Sequence, residues 1–169
     1  MYFLCMEAAL KRLLSGLLSL AGAVALTGGL LDQPNGPSAW AGDGIQFLHA
    51  LDDQPLEFTF RPNQVITPAV EEFHRSADNP YRGDEEAMAA GKKLYLKWCK
   101  ACHLKDGSGR IGPNLTDANW KNARTATDQG KFEIIYGGGA GSMQAFGRRM
   151  DQDDILKVMA YLEVLGRRR

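Results

Sequence analysis

The feature that most constrains this 169-residue chain is a run of five residues, Cys99-Lys100-Ala101-Cys102-His103. Cys-x-x-Cys followed directly by His is the attachment signature of a covalently bound haem. The spacing has a physical cause. The two thiols reach the two vinyl groups on one porphyrin edge, and the histidine after the second cysteine is carried beneath the ring to the iron. A redox dithiol would call for alternating strands and helices around the pair, a pattern this sequence lacks. A zinc site needs a second ligand pair, and His49 and His74 are not spaced to supply one.

The other face of the iron needs a second ligand or stays open. Past the first forty residues the choices are Met88, Met143, Met150 and Met159, with His49 and His74. Met88 and Met159 fall on helical patterns and read as core. Met143 follows Gly137-Gly138-Gly139-Ala140-Gly141-Ser142, a loop whose glycines let backbone come close to a ring, and it stands 40 residues after His103. It is the expected ligand, with Met150, at the start of the last helix, as second choice. A thioether favours reduced iron and raises the potential. With both axial sites filled, substrates are denied the metal, so electron carriage is expected and an enzyme or gas sensor with an open site is the rival. Ile111-Gly112-Pro113-Asn114-Leu115 follows shortly after. There a backbone carbonyl, Pro113 first, is expected to accept the free ring N–H of His103, fixing the imidazole and increasing its basicity; a simple turn is the plain alternative.

Residues 1–41 read as an export signal. Lys11 and Arg12 precede an apolar run from Leu13 to Leu26, and a polar stretch closes on Ala39-Trp40-Ala41. The run is 14 residues long, against the roughly 20 needed to span a bilayer as a helix, so cleavage after Ala41 is expected and an uncleaved anchor is the alternative. Met6 is a second possible start, and Cys5 is discarded either way. The chain as a whole has no net charge, but it is divided: residues 42–81 hold seven acids and two bases, residues 82–169 eleven acids and sixteen bases. The basic half carries the haem motif, which suits acidic partners or its own acidic extension. Nucleic acid is not expected as a partner.

Residues 42–83 read as an N-terminal extension to a haem domain at 84–169. In it Leu56-Glu57-Phe58-Thr59-Phe60 alternates like a short strand, Thr67-Pro68 opens a helix through His74, and Asn79-Pro80-Tyr81-Arg82-Gly83 reads as a turn. Asp84 caps a helix from Glu85 to about Cys99 on which Gly91 and Tyr95 share a face, the glycine permitting close approach of another helix. The last helix starts near Asp151 and buries Ile155, Val158, Met159, Leu162 and Leu165. The glycine-rich stretch between these helices is expected to have little regular structure of its own and to need the haem as scaffold.

Together these residues resemble the class I cytochromes c, in which an N-terminal helix with a Gly-x-x-x-aromatic face crosses a C-terminal helix; Gly91/Tyr95, Val158-Met159-Ala160-Tyr161-Leu162, Gly112-Pro113-Asn114-Leu115 and the late Met143 match. The resemblance implies an all-α fold. A narrower one, from about Phe47 to Leu165, rests on Asn79-Pro80-Tyr81, Gly109 to Leu115, Trp120, Thr127 to Phe132 and Tyr136-Gly137-Gly138. These are similar to the cytochrome cL group, electron acceptors of quinoprotein methanol dehydrogenases. It implies one haem c, a periplasmic alcohol dehydrogenase containing pyrroloquinoline quinone as electron donor, and another cytochrome c or an oxidase as acceptor. Trp120 and Arg124 are then candidates to bond the haem propionates. The sequence departs from the group in its basic haem half, with Lys100, Lys105, Arg110, Arg148 and Arg149, and in Gln144-Ala145 where Gly-Pro often follows the methionine.

Overall fold

The computed structural model describes residues 44–167 apart from Arg61, Asn63, Ala118 and Trp120, all within one unit comprising residues 36–169. The segment 1–41 expected to be an export signal, with its expected cleavage after Ala41, lies outside the described residues, as does Trp120. The described elements, in chain order, are α1 (Pro68–Ser76), α2 (Glu85–Trp98), α3 (Lys100–His103), a 3-10 turn (Ala123–Ala126), α4 (Asp128–Gly137) and α5 (Gln152–Arg167). Among the described residues there is no β-strand, only an antiparallel bridge between Leu48 and Pro55.

Helices α1, α2 and α4 each begin where a side chain accepts one of the backbone N–H groups left over at a helix start. Thr67 Oγ1 accepts from Val70 N at 3.3 Å, Asp84 Oδ1 from Ala87 N at 2.8 Å and Thr127 Oγ1 from Gly130 N at 3.1 Å. Glu85 and Glu86 add negative charge at the positive end of the α2 dipole. α1 runs two residues past His74, to Ser76, and ends on Ala77 in the left-handed region at φ 58°.

The helices α2 and α5 cross with backbone almost touching backbone. A Cβ on Gly91 would lie 1.9 Å from the Lys157 carbonyl oxygen, so no other residue fits there without separating the helices. One turn later Tyr95 is fully buried and packs on Tyr161 with ring centroids 5.5 Å apart. The last helix buries more than the expected stripe: Leu156, Ala160 and Tyr161 are as inaccessible as Ile155, Val158, Met159 and Leu165, while Leu162 is half-buried. The reason is that α5 packs against α1, α2 and α4 at once.

Two expectations fail. The middle of the chain contains a regular helix, α4, capped by Thr127 and buried through Phe132, Ile135 and Tyr136. Its Gly130 is there for proximity, since a Cβ would sit 1.9 Å from the Arg124 carbonyl oxygen. The segment 56–60 forms no strand. Its alternation does sort burial, with Leu56 and Phe58 inward and Glu57 and Thr59 exposed, but no neighbouring strand supplies a ladder, and the Thr59 N–H instead donates to the Tyr136 hydroxyl at 2.7 Å.

The extension shares the core of the haem half. Phe47, Leu56, Val70 and Phe73 form one buried cluster with Phe132, Ile135, Tyr136, Phe146, Ile155 and Leu156. The turn at 79–83 is fastened from within: the buried Asn79 side-chain amide donates to Leu156 O at 2.9 Å, and its backbone N–H donates to Asp128 Oδ2 at 3.0 Å.

Candidate cofactor site

The last turn of α2 delivers Cys99, whose position continues directly into the single-turn α3 carrying Cys102 and His103. Leu104 then adopts φ 64°, rare for a residue with a side chain. The Tyr95 hydroxyl holds it there by donating to Leu104 O at 2.7 Å. The chain folds straight back: Gly109 N donates to His103 O at 3.0 Å, and Arg110 N and Gly112 N donate to Cys102 O at 3.1 and 3.0 Å.

That return places the Pro113 carbonyl 2.9 Å from His103 Nδ1. A carbonyl only accepts, so Nδ1 carries the proton and Nε2 keeps its lone pair for a metal. Gly112 lies against the ring itself; a Cβ there would stand 2.5 to 2.8 Å from Cε1, Nδ1 and Nε2.

On the far side of the sequence, α4 ends at Gly138 with φ 88° and a loop begins. Gly139 N donates to Met143 O at 3.1 Å, and the loop is closed onto α4 by Phe146 N to Ile135 O and Gly147 N to Tyr136 O, both 3.0 Å. A predominantly apolar cavity of about 1280 Å³ is lined by Cys99, Cys102, His103, Pro113, Met143 and Phe146, among others. This is larger than the roughly 300–1,000 Å³ of ordinary small-molecule sites. Burial pushes the Cys99 thiol up to about 12, the nearby Cys102 sulfur adding to the effect. The donor set, thiol pair, imidazole and thioether along one apolar cavity, fits a large flat iron-bearing ring.

The remaining sequence candidates are elsewhere. Met150 is 2% exposed inside the hydrophobic core and does not line the cavity, so as alternative ligand it is displaced by its own packing. His49 packs beside Gly137, and His74 is buried with Nε2 2.6 Å from Gln152 Oε1. Arg124 is not among the residues lining the cavity and pairs with Glu133 at 2.9 Å and with Asp53. Sequence reasoning missed the polar part of the lining, Arg82, Lys121, Asn122, Thr125 and Lys131. Arg82 also bridges Asp128 at 2.6 Å and Glu163 at 2.7 Å. Burial opposes the charge on Asp128, yet the Asn79 N–H, Lys131 and Arg82 hold its carboxyl below the usual carboxylate range. Arg82 was readable only as a turn residue, because its partners are 46 and 81 positions away.

A family model for cytochrome c oxidase, cbb3-type, subunit III matches residues 86–162, from α2 into α5. Cytochrome c-L of Methylorubrum extorquens is 31% identical over 150 residues, covering 88% of this chain and 73% of that protein. The chain belongs to the cytochrome c-L family. Crystal structures agree: cytochrome cL from the marine methylotrophic bacterium Methylophaga aminisulfidivorans superposes with a TM-score of 0.69 at 32% identity, covering 71% of this chain and 80% of that one. Cytochrome cL from Hyphomicrobium denitrificans gives 0.68 at 30% identity, covering 71% and 73%. As a cytochrome c-L the protein has the all-α class I fold and carries one covalently bound haem c. It is an electron-transfer protein rather than an enzyme.

Proposed function

We propose that this cytochrome c-L takes single electrons from a periplasmic quinoprotein methanol or alcohol dehydrogenase and passes them to another cytochrome c or an oxidase. The observation that carries the reading is the meeting of Cys99, Cys102, His103 and Met143 on one apolar cavity in a chain of this family. Cys99 and Cys102 would hold the haem covalently, and His103 and Met143 would ligate its iron. When bound, the haem supplies a one-electron iron couple. The Pro113 carbonyl keeps His103 in the tautomer that presents Nε2 and makes the imidazole a stronger donor. Met143 favours the reduced iron, and the apolar wall excludes water from the metal. Residues 1–41 direct export, and cleavage after Ala41 leaves Gly42 first, which mass analysis of the exported protein checks.

The donor is tested by mixing the oxidised protein with purified quinoprotein methanol dehydrogenase from the same cells and following haem reduction when alcohol is added. Prompt reduction is expected. Failure to reduce sinks the donor assignment and leaves a general periplasmic carrier for another dehydrogenase or oxidase. The exposed bases Lys100, Lys105, Arg110 and Arg148 favour that second reading where the donor is acidic.

A further inference from the structure

The loop that presents Met143 is anchored by a segment of the extension, Leu56–Thr59, with no residue of its own on the cavity. Between Gly138 and Phe146 the residues Ala140, Gly141, Ser142, Gln144 and Ala145 are exposed. Apart from the Gly139 N to Met143 O bond and the Arg149 to Gln144 Oε1 contact at 2.8 Å, little packing fixes the loop along its length, and its geometry depends mainly on its two ends. At the first end, a Cβ on Gly137 would lie 2.9 Å from the Leu56 side chain and 3.0 Å from His49, both residues of the extension. At the second end Gly147 lies flat on the Tyr136 ring, where a Cβ would come within 2.6 to 2.7 Å of three ring carbons. The Tyr136 backbone accepts from Gly147 N, and the Tyr136 hydroxyl accepts from Thr59 N at 2.7 Å. Phe58 packs edge-on against the same ring, centroids 5.2 Å apart.

We propose that the extension segment Leu56–Thr59 braces the Met143 loop through Tyr136, making Tyr136 a positioning residue for the second axial ligand. This rests on the reading of Met143 as that ligand. A thioether is a weak ligand, so the fraction of time it spends on the iron is set by how readily its loop opens. The Thr59 to Tyr136 hydrogen bond opposes opening because it fixes the ring on which Gly147 rests. If it is lost, the loop leaves the iron more often without the whole protein unfolding.

The test uses the oxidised holoprotein and added imidazole, which binds the iron only when the methionine has left. Tyr136→Phe keeps the ring and removes the hydroxyl; imidazole affinity is expected to rise about tenfold, in line with the loss of one partly buried hydrogen bond. Tyr81→Phe is the matched control, since the Tyr81 hydroxyl also ties the extension to the haem half, donating to Asp153 at 2.6 Å, on α5 rather than at either end of the loop. Its imidazole affinity is expected to stay at the wild-type value. An equal rise in both variants, or none in Tyr136→Phe, overturns the brace while leaving the ligand assignment standing. The long-wavelength iron-to-sulfur band of the oxidised protein, read in Met143→Ala, examines that assignment separately: its survival there removes Met143 as ligand and the brace with it. Should Tyr136→Phe fail to fold, amide exchange in the unmodified protein decides. The N–H groups of Thr59 and Gly147 are expected to open together under mild denaturant, and independent opening overturns the proposal.

Discussion

Gly112 shows how little room a single residue leaves. The His103 ring occupies the space a side chain would need, so Gly112→Ala forces either the ring or the 109–113 return to move. The variant is expected to lose about 1–3 kcal/mol of stability, the usual cost of overpacking, measured as a lower denaturation midpoint of the holoprotein, with a weakened His103 to Pro113 bond. That residues 111–115 serve the histidine was legible from the order of the residues. The acid response of the protein was not. Asp153 accepts from Thr67 at 2.8 Å and Tyr81 at 2.6 Å and pairs with Lys157 at 2.6 Å. Burial opposes its charge, but these donors hold its carboxyl below the ordinary 3.8. With the folded value below the unfolded one, its stabilisation is complete above the unfolded value and is lost as pH falls through the folded one. Thermal unfolding is therefore expected to change little on this account from pH 7 to about 5 and to drop below about pH 4. Tyr81→Phe should make that drop shallower. Thr67 and Tyr81 lie 86 and 72 positions from Asp153, a distance over which sequence periodicity says nothing.

At the scale of elements, the crossing of α2 and α5 was readable and α4 was not, and the same residue type explains both. Gly91 sits on a helix with a clear cap and a clear aromatic partner one turn away, so its absence of side chain could be taken as a contact. Gly130 sits among many glycines, and local composition pointed to irregular chain although Thr127 and the spacing of Phe132, Ile135 and Tyr136 carried a helix signal. Both glycines face a carbonyl oxygen that a Cβ would approach to 1.9 Å. Gly91→Ala is expected to destabilise the protein by about 3 kcal/mol, the upper end for overpacking, because two helix backbones must part; chemical denaturation measures it. An alanine at the helical but uncrowded Gly166, where a Cβ meets nothing within 4 Å, should be neutral or slightly stabilising.

For the whole molecule, the charge division of the sequence persists in the structure. Asp53 of the extension pairs with Arg124 of the haem half, but Lys97, Lys100, Lys105 and Arg110 remain exposed around the haem motif, with Arg110 reaching the Ala101 carbonyl. If the physiological donor is acidic, the bimolecular rate of haem reduction should fall about tenfold between roughly 0.01 and 0.2 M ionic strength, as the screening length shrinks below the size of the patch. A rate indifferent to salt would mean that docking does not use this surface. The union of extension and haem half was the part least visible beforehand, since Gly83 marks a turn and nothing local reveals that Phe47 and Phe132 share a core. That union bears on the tempo of folding. The ties from Leu48 to Glu133, Thr59 to Tyr136 and Thr67 to Asp153 close loops of 85, 77 and 86 residues. Although all its described regular elements are helices, the protein should reach its native state more slowly than helical domains built from neighbouring contacts. During synthesis the extension, made before the haem half, waits for α4 and then the last helix to emerge before these partners exist.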